Sequence, residues 1–181
     1  MSVTFRYFGI VLLMVATLLA CGKKAKPKKQ NISPQLLLEM NKKMVSAESE
    51  IIDKYVADKH LDMQTSKTGL RYQILRSTDE PLIKEDDAVS LSYTISLLDS
   101  TICYSSANNG LMNFVVGKAQ VEAGLEEAIL MLSKGSKAKL IMPPYMAHGV
   151  AGDGNKIPKL AIIVMDIEVM DVHSASTVEG N

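Results

Sequence analysis

NFVVGKAQVEAGLEEAILMLSKGSKAKLIMPPYMAHG, residues 113–149, is the stretch whose reading decides the fold. It reads as a short strand, one amphipathic helix, a glycine turn, a second strand and a proline-marked loop. Val121, Leu125 and Ile129 recur every fourth residue, so a helix here places them on one buried face, with Glu122, Glu126 and Glu127 off that line. Lys134-Gly135 predicts the helix end, with a basic last turn and a residue that tolerates left-handed backbone.

On either side of this unit the period is two. GLRYQILR from Gly69 is a strand candidate, followed by a polar turn region. Val89, Leu91, Tyr93, Ile95 and Leu97 alternate with Ser90, Ser92, Thr94 and Ser96, the pattern of a strand buried on one side. Ile102-Cys103-Tyr104 makes a further short strand. After the loop from Pro144 to Pro158, Ala161, Ile163, Met165, Ile167 and Val169 share one face of a long final strand. Strands before and after a single short helix predict an α+β domain over residues 65–172, an antiparallel β-sheet wrapped around that helix with no second core. A loose tail is expected over residues 173–181.

Composition narrows the function. The chain has 181 residues and zero formal net charge, with 20 basic and 20 acidic residues. Arg6, Lys23, Lys24, Lys26, Lys28 and Lys29 all lie near the start, so the remainder holds 14 basic residues against 20 acids, about −6. An acidic body argues against a nucleic-acid partner. The two cysteines, Cys21 and Cys103, form no disulfide framework, and the three histidines are too scattered to suggest a metal.

Residues 1–21 combine a basic start at Arg6 with an apolar run from Phe8 to Ala20, too short for a comfortable membrane span, and close on Leu18-Leu19-Ala20-Cys21. This resembles a bacterial lipoprotein signal, which implies lipidation of Cys21 and a membrane anchor; an uncleaved anchor helix and an ordinary signal peptide are the alternatives. Several acyl chains on one residue hold a protein stably to a bilayer. Residues 22–32 form a basic linker, either a contact with anionic headgroups or a solvated tether. In bacteria related to gliding species and gut anaerobes an acidic run after the lipid cysteine resembles a surface-export signal. The basic run here points instead to a periplasm-facing protein of the bacterial cell envelope.

Ser33-Pro34 then opens an N-terminal amphipathic helix within residues 33–62, Ser as N-cap and Pro in the first turn. Leu37, Met40, Met44, Ala47, Ile51 and Tyr55 make its apolar stripe, which needs cover, from the following domain or from its twin in a homodimer.

The order and spacing of these pieces resemble an FKBP-type peptidyl-prolyl isomerase domain over Gly69–Asp171. The resemblance is carried by Val89-x-x-x-Tyr93-Thr94, Val116-Gly117-Lys118, Val121 to Glu127, Met131-x-x-x-Gly135, Ala138-Lys139-Leu140, Pro144-x-x-Ala147-His148-Gly149, Ile157-Pro158 and Asp166-Ile167-Glu168. With the lipid cysteine, linker and leading helix, the chain further resembles FKBP-type lipoproteins linked to gliding motility. The helix leading into GLRYQIL is also similar to the dimeric macrophage infectivity potentiator group.

The resemblance implies rotation about X–Pro peptide bonds of polypeptide substrates, without nucleophile, metal or cofactor. It implies an apolar cup built from Tyr93, Tyr104, Met112, Phe114, Val121, Leu125, Ile157 and Met165, with the Glu122 backbone amide donating to a substrate carbonyl. His148 stands where the family presents a tyrosine hydroxyl, and Ser105 where an aspartate commonly follows the aromatic. Leu125 replaces the common tryptophan floor, and Met112 and Met165 replace aromatics, so a shallower cup with weak macrolide binding is expected. Each position also has a plainer reading: Phe114, Val121 and Leu125 as core, Tyr93 as a buried strand aromatic, His148 as a solvated loop residue. Two functions follow, a membrane-tethered isomerase assisting folding of envelope proteins, or a chaperone or assembly-binding module of the same fold with little isomerase activity.

Overall fold

The computed structural model describes residues 33–174; the signal-like segment, Cys21, the basic linker and residues 175–181 lie outside them. Contacts divide the chain into Met1–Leu38 and Glu39–Asn181, a boundary inside the first helix. In chain order the elements are helix α1 (Pro34–Asp58) and strands β1 (Gln64–Thr65), β2 (Arg71–Arg76), β3 (Ala88–Leu97) and β4 (Ile102–Ser105). Then come the short helix α2 (Ser106–Asn109), β5 (Met112–Val115), helix α3 (Ala123–Ile129), β6 (Lys137–Met142), a 3₁₀ turn (Pro144–Met146) and β7 (Ile163–His173).

All strand pairs are antiparallel, in the order β1-β2-β6-β7-β3-β4. The other edge of β3 is shared: Ala88–Leu91 pair with β5, and Thr94–Ser96 with β4. β7 pairs with β3 along its whole length, Ala88 opposite His173, so His173 belongs to the sheet rather than to the expected tail.

The alternating strands place Val89, Leu91 and Ile95 of β3 with Ile163, Met165, Ile167 and Val169 of β7 in one core, closed by Leu125, Ala128 and Ile129 of α3. The sheet thus wraps one short helix, as the alternation predicts. The helix itself is shorter than its periodicity suggests. It begins at Ala123, after Val121, and its buried residues are Gly124, Leu125, Ala128 and Ile129. Lys134-Gly135 does not end it. That pair lies in a turn entering β6, where Ser136 N–H donates to Ser133 C=O at 3.0 Å and Gly135 has φ +84°.

A second apolar cluster corrects the expectation of a single core. Ile52 of α1, 1% exposed, packs with Ile141, Ile162 and Val164, joined by Tyr55, Val56, Leu61, Met63 and Leu98. Ile141 and Val164 alternate with the residues of β6 and β7 that enter the main core, so the sheet is apolar on both faces there. The N-cap is as expected: Leu36 N–H donates to Ser33 Oγ at 3.2 Å. The buried face of α1 is not the stripe read from the sequence. Met40, Met44, Ala47 and Ile51 are exposed, and only Tyr55 of that stripe packs. Arg71, its side chain 9% exposed, sets this choice. Its guanidinium donates to Asp53 Oδ1 at 3.1 and 2.7 Å, to Ser49 Oγ at 2.8 Å and to Gly69 C=O at 3.1 Å, turning the Ser49–Ile52–Asp53 side of the helix inward.

Candidate active site

Eight residues expected around an apolar cup lie in one cluster. Phe114 of β5, Leu125 of α3, Met165 of β7 and Ile157 of the long loop are buried, and Tyr93, Tyr104, Met112 and Val121 pack half-buried against them. Leu125 and Met165 are 0% exposed, so the floor is sealed from solvent. What opens to solvent is the rim: Met112, Asn113, Val121, Glu122, Ala147 and His148 line a groove of about 420 Å³.

Glu122 is held between loop and helix. Its backbone is extended (φ −61°, ψ 143°), and its carbonyl accepts from Leu125 and Glu126 N–H at 2.9 and 3.0 Å, closing the first turn of α3. Its own N–H donates no hydrogen bond among the described residues, a free donor beside an apolar surface. The Glu122 side chain is 13% exposed, and one carboxylate oxygen sits 3.1 Å from His148 Nε2. That contact does not meet hydrogen-bond geometry, and the buried Nε2 has no hydrogen-bond partner among the described residues. His148 therefore faces the groove as part of a carboxylate–imidazole contact rather than as a solvated loop residue.

Tyr104 has a partner that sequence reading did not find. Its hydroxyl donates to Asp153 Oδ2, while Asp153 Oδ1 accepts from Asn155 and Ile157 N–H, both at 2.8 Å. The Tyr104 hydroxyl, helped by these amides, holds the Asp153 carboxyl down to about 2. The same hydrogen bond pushes the Tyr104 hydroxyl up. Lys156 Nζ lies 5.1 Å over the Tyr104 ring. Asp153 thus fixes Ile157 and Tyr104 together. Gly152 makes the turn possible: φ is +68°, and a Cβ there would stand 2.4 Å from the Ile157 carbonyl oxygen. The only sequence signal was Gly152-Asp153-Gly154-Asn155, a turn-forming run whose Asp caps backbone amides.

Ser105 follows Tyr104 at the end of β4. Its backbone pairs with Thr94, its N–H meets Asn109 Oδ1 at 3.4 Å, and its hydroxyl makes no hydrogen bond among the described residues. The neighbouring Ser106 ties this corner down, its Oγ accepting from Tyr93 N–H at 3.2 Å and bonding Ser92 Oγ at 2.9 Å. Tyr93 lies on the core face of β3 with Leu91 and Ile95 but is less buried than either. Among the described residues no three His, Cys, Asp or Glu side chains converge as a metal site requires.

The FKBP-type peptidyl-prolyl cis-trans isomerase family matches residues 80–170, half of the chain. The chain belongs to this family. A Haemophilus influenzae protein named as a probable FKBP-type peptidyl-prolyl cis-trans isomerase is 32% identical over 127 residues, covering 68% of this chain and 52% of that protein. Mouse peptidyl-prolyl cis-trans isomerase FKBP9 is 35% identical over 94 residues, 51% of this chain but 16% of its own. The chain thus spans about half the length of the first relative and a small part of the second. The crystal structure of AtFKBP13 superposes with a TM-score of 0.59 at 24% identity, over 62% of this chain and 99% of that one, a likeness of fold. Within the FKBP-type frame the departures are concrete: a sealed leucine floor, a serine without a side-chain partner at 105, and a Glu122–His148 contact on the rim.

Proposed function

We propose that this chain catalyses cis–trans isomerisation of X–Pro bonds in polypeptides, as a lipid-anchored protein of the bacterial envelope. The amide C–N bond resists rotation with a barrier of about 18–20 kcal/mol, because resonance gives it double-bond character. An apolar site disfavours the charge-separated planar form, and a donor to a substrate carbonyl orients the peptide. The observation that carries the reading is the unpaired Glu122 N–H beside Val121, over a floor of Leu125 and Met165. The chain supplies position and dryness, and no bond is made or broken. Uncatalysed rotation takes roughly tens to hundreds of seconds and limits the folding of some proteins, so an envelope catalyst of this step would speed maturation of secreted chains.

Anchoring through lipid on Cys21, a periplasm-facing position and pairing of two chains through the exposed Met40, Met44 and Ile51 of α1 extend this proposal. Mass spectrometry of the membrane fraction reads the first; a soluble, unacylated chain in those cells would end it. Sedimentation of the full chain in detergent reads the last.

The second reading, a binding module with little isomerase activity, is favoured by the sealed floor. Proline-limited refolding of a reporter protein with micromolar full-length chain separates the two. Acceleration that Tyr93→Ala reduces supports the enzyme; suppressed aggregation at the uncatalysed refolding rate supports the module.

A further inference from the structure

The rim carries charge that the isomerase reading does not use. Besides the groove at Glu122 and His148, a second groove of about 500 Å³ runs past Glu85, Glu126, Glu127 and Leu130. The two meet at Ala119 and Val121, beside the free Glu122 amide, and no lysine or arginine lines either. The carboxylates are poorly satisfied. Glu122, 13% exposed, accepts no hydrogen bond among the described residues. Glu126 takes the Gly117 N–H at 2.8 Å on one oxygen, while the other is buried with no partner. Glu127 has the Thr68 hydroxyl at 2.5 Å. The nearby Lys118 is turned onto Asp86 at 2.5 Å, and His148 offers Glu122 a contact without hydrogen-bond geometry.

A carboxylate held mostly out of water without donors gains strongly from a cation that brings its own N–H groups. Resting on the isomerase reading of this site, we propose that its substrates are polypeptides with a lysine or arginine within two residues of the proline, and that Glu122 selects them. The proline sits at Val121 on the apolar side of the groove, and the flanking cation reaches the Glu122 carboxylate along it. Glutamate in that position meets like charge, and leucine leaves Glu122 with only its contact to His148.

The test uses the full-length chain in detergent with three short peptides whose proline is flanked on both sides by lysine, leucine or glutamate. Exchange NMR measures catalysed cis–trans interconversion, and chemical-shift titration measures Kd for the same peptides. At low salt the lysine peptide is expected to exceed the glutamate peptide by about tenfold, the scale of one charge-assisted hydrogen bond, in rate and affinity. Glu122→Gln compresses the ratio, Glu122→Lys inverts it, and added salt shrinks it. Equal Kd values and equal acceleration for all three peptides overturn the inference while the isomerase reading stands. Ranked Kd values that invert in Glu122→Lys, with no acceleration of any peptide, remove the isomerase reading and overturn the inference about its substrates, leaving Glu122 as a selector of binding alone. Peptides that neither bind in rank order nor exchange faster remove both.

Discussion

Replacing Gly124 by alanine tests how tightly α3 is seated. Gly124 is the second residue of the helix, next to Leu125, and an added Cβ would lie 2.4 Å from Met142 Sδ, 2.7 Å from Met142 Cγ and 3.4 Å from Met146 Cβ. Ordinary contact needs about 3.5 Å or more, so Met142 must retreat by about 1 Å. Met142 is 0% exposed and has no solvent side to retreat into. Overpacking a core costs about 1–3 kcal/mol. The gain from alanine over glycine in a helix is at most about 1 kcal/mol, and less in the first turn. Gly124→Ala should therefore lose about 1–2 kcal/mol, read as a Tm drop of roughly 3–8 °C for a domain of this size. Urea unfolding of wild type, Gly124→Ala, Met142→Ala and the double variant closes a mutant cycle. Met142→Ala alone should cost about 2–5 kcal/mol for the cavity, and clearly less in the Gly124→Ala background, whose added methyl occupies the space. A Gly124→Ala protein as stable as wild type, or strictly additive effects, would refute the packing argument.

Three further outcomes are expected. Because the Asp153 carboxyl is held at about 2, its contribution is complete above its ordinary value near 3.8 and is lost as pH falls from there to about 2. The stability excess of wild type over Asp153→Asn should follow that window in acid titrations by circular dichroism, and a constant difference would contradict it. Asp53→Ala leaves the buried Arg71 with Ser49 and the Gly69 carbonyl only, and since Asp53 is 61% exposed the cost should be about 1–2 kcal/mol. Hydrogen exchange should then quicken in the C-terminal half of α1 while β7 stays protected; unchanged protection of α1 would dismiss the clamp. Finally, the family's macrolide inhibitors should bind weakly, because Leu125 and Met165 are covered; calorimetry showing near-normal affinity would sink that expectation.

Much of the fold was legible because it rests on local periodicity. The two-residue alternation from Val89 to Leu97 and from Ile163 to Val169 needs only that each strand present one face to a core, and both strands do. Ser33-Pro34 marked the start of α1 because capping is satisfied within one turn. The ordered motifs from Val89 to Glu168 identified the family in the same way, each being short-range chemistry at a set spacing.

What sequence left open depended on partners remote in the chain. α1 carries two apolar faces, and Ile52 rather than Met44 or Ile51 went inward because Arg71, Ile141 and Val164 wait there. Tyr104 found Asp153, and Glu122 found His148, across stretches that no periodicity spans. Whether the floor under the candidate groove is open or sealed is a matter of how Leu125, Met165, Ile157 and Met112 pack together. The sequence by itself determined which strand and helix residues gather in the core, because their faces follow from local periodicity, and the candidate site came with the family resemblance. Only the tertiary structure decided which are exposed and how their charges are paired, because burial and hydrogen bonding are properties of surfaces that meet in space rather than of neighbours along the chain.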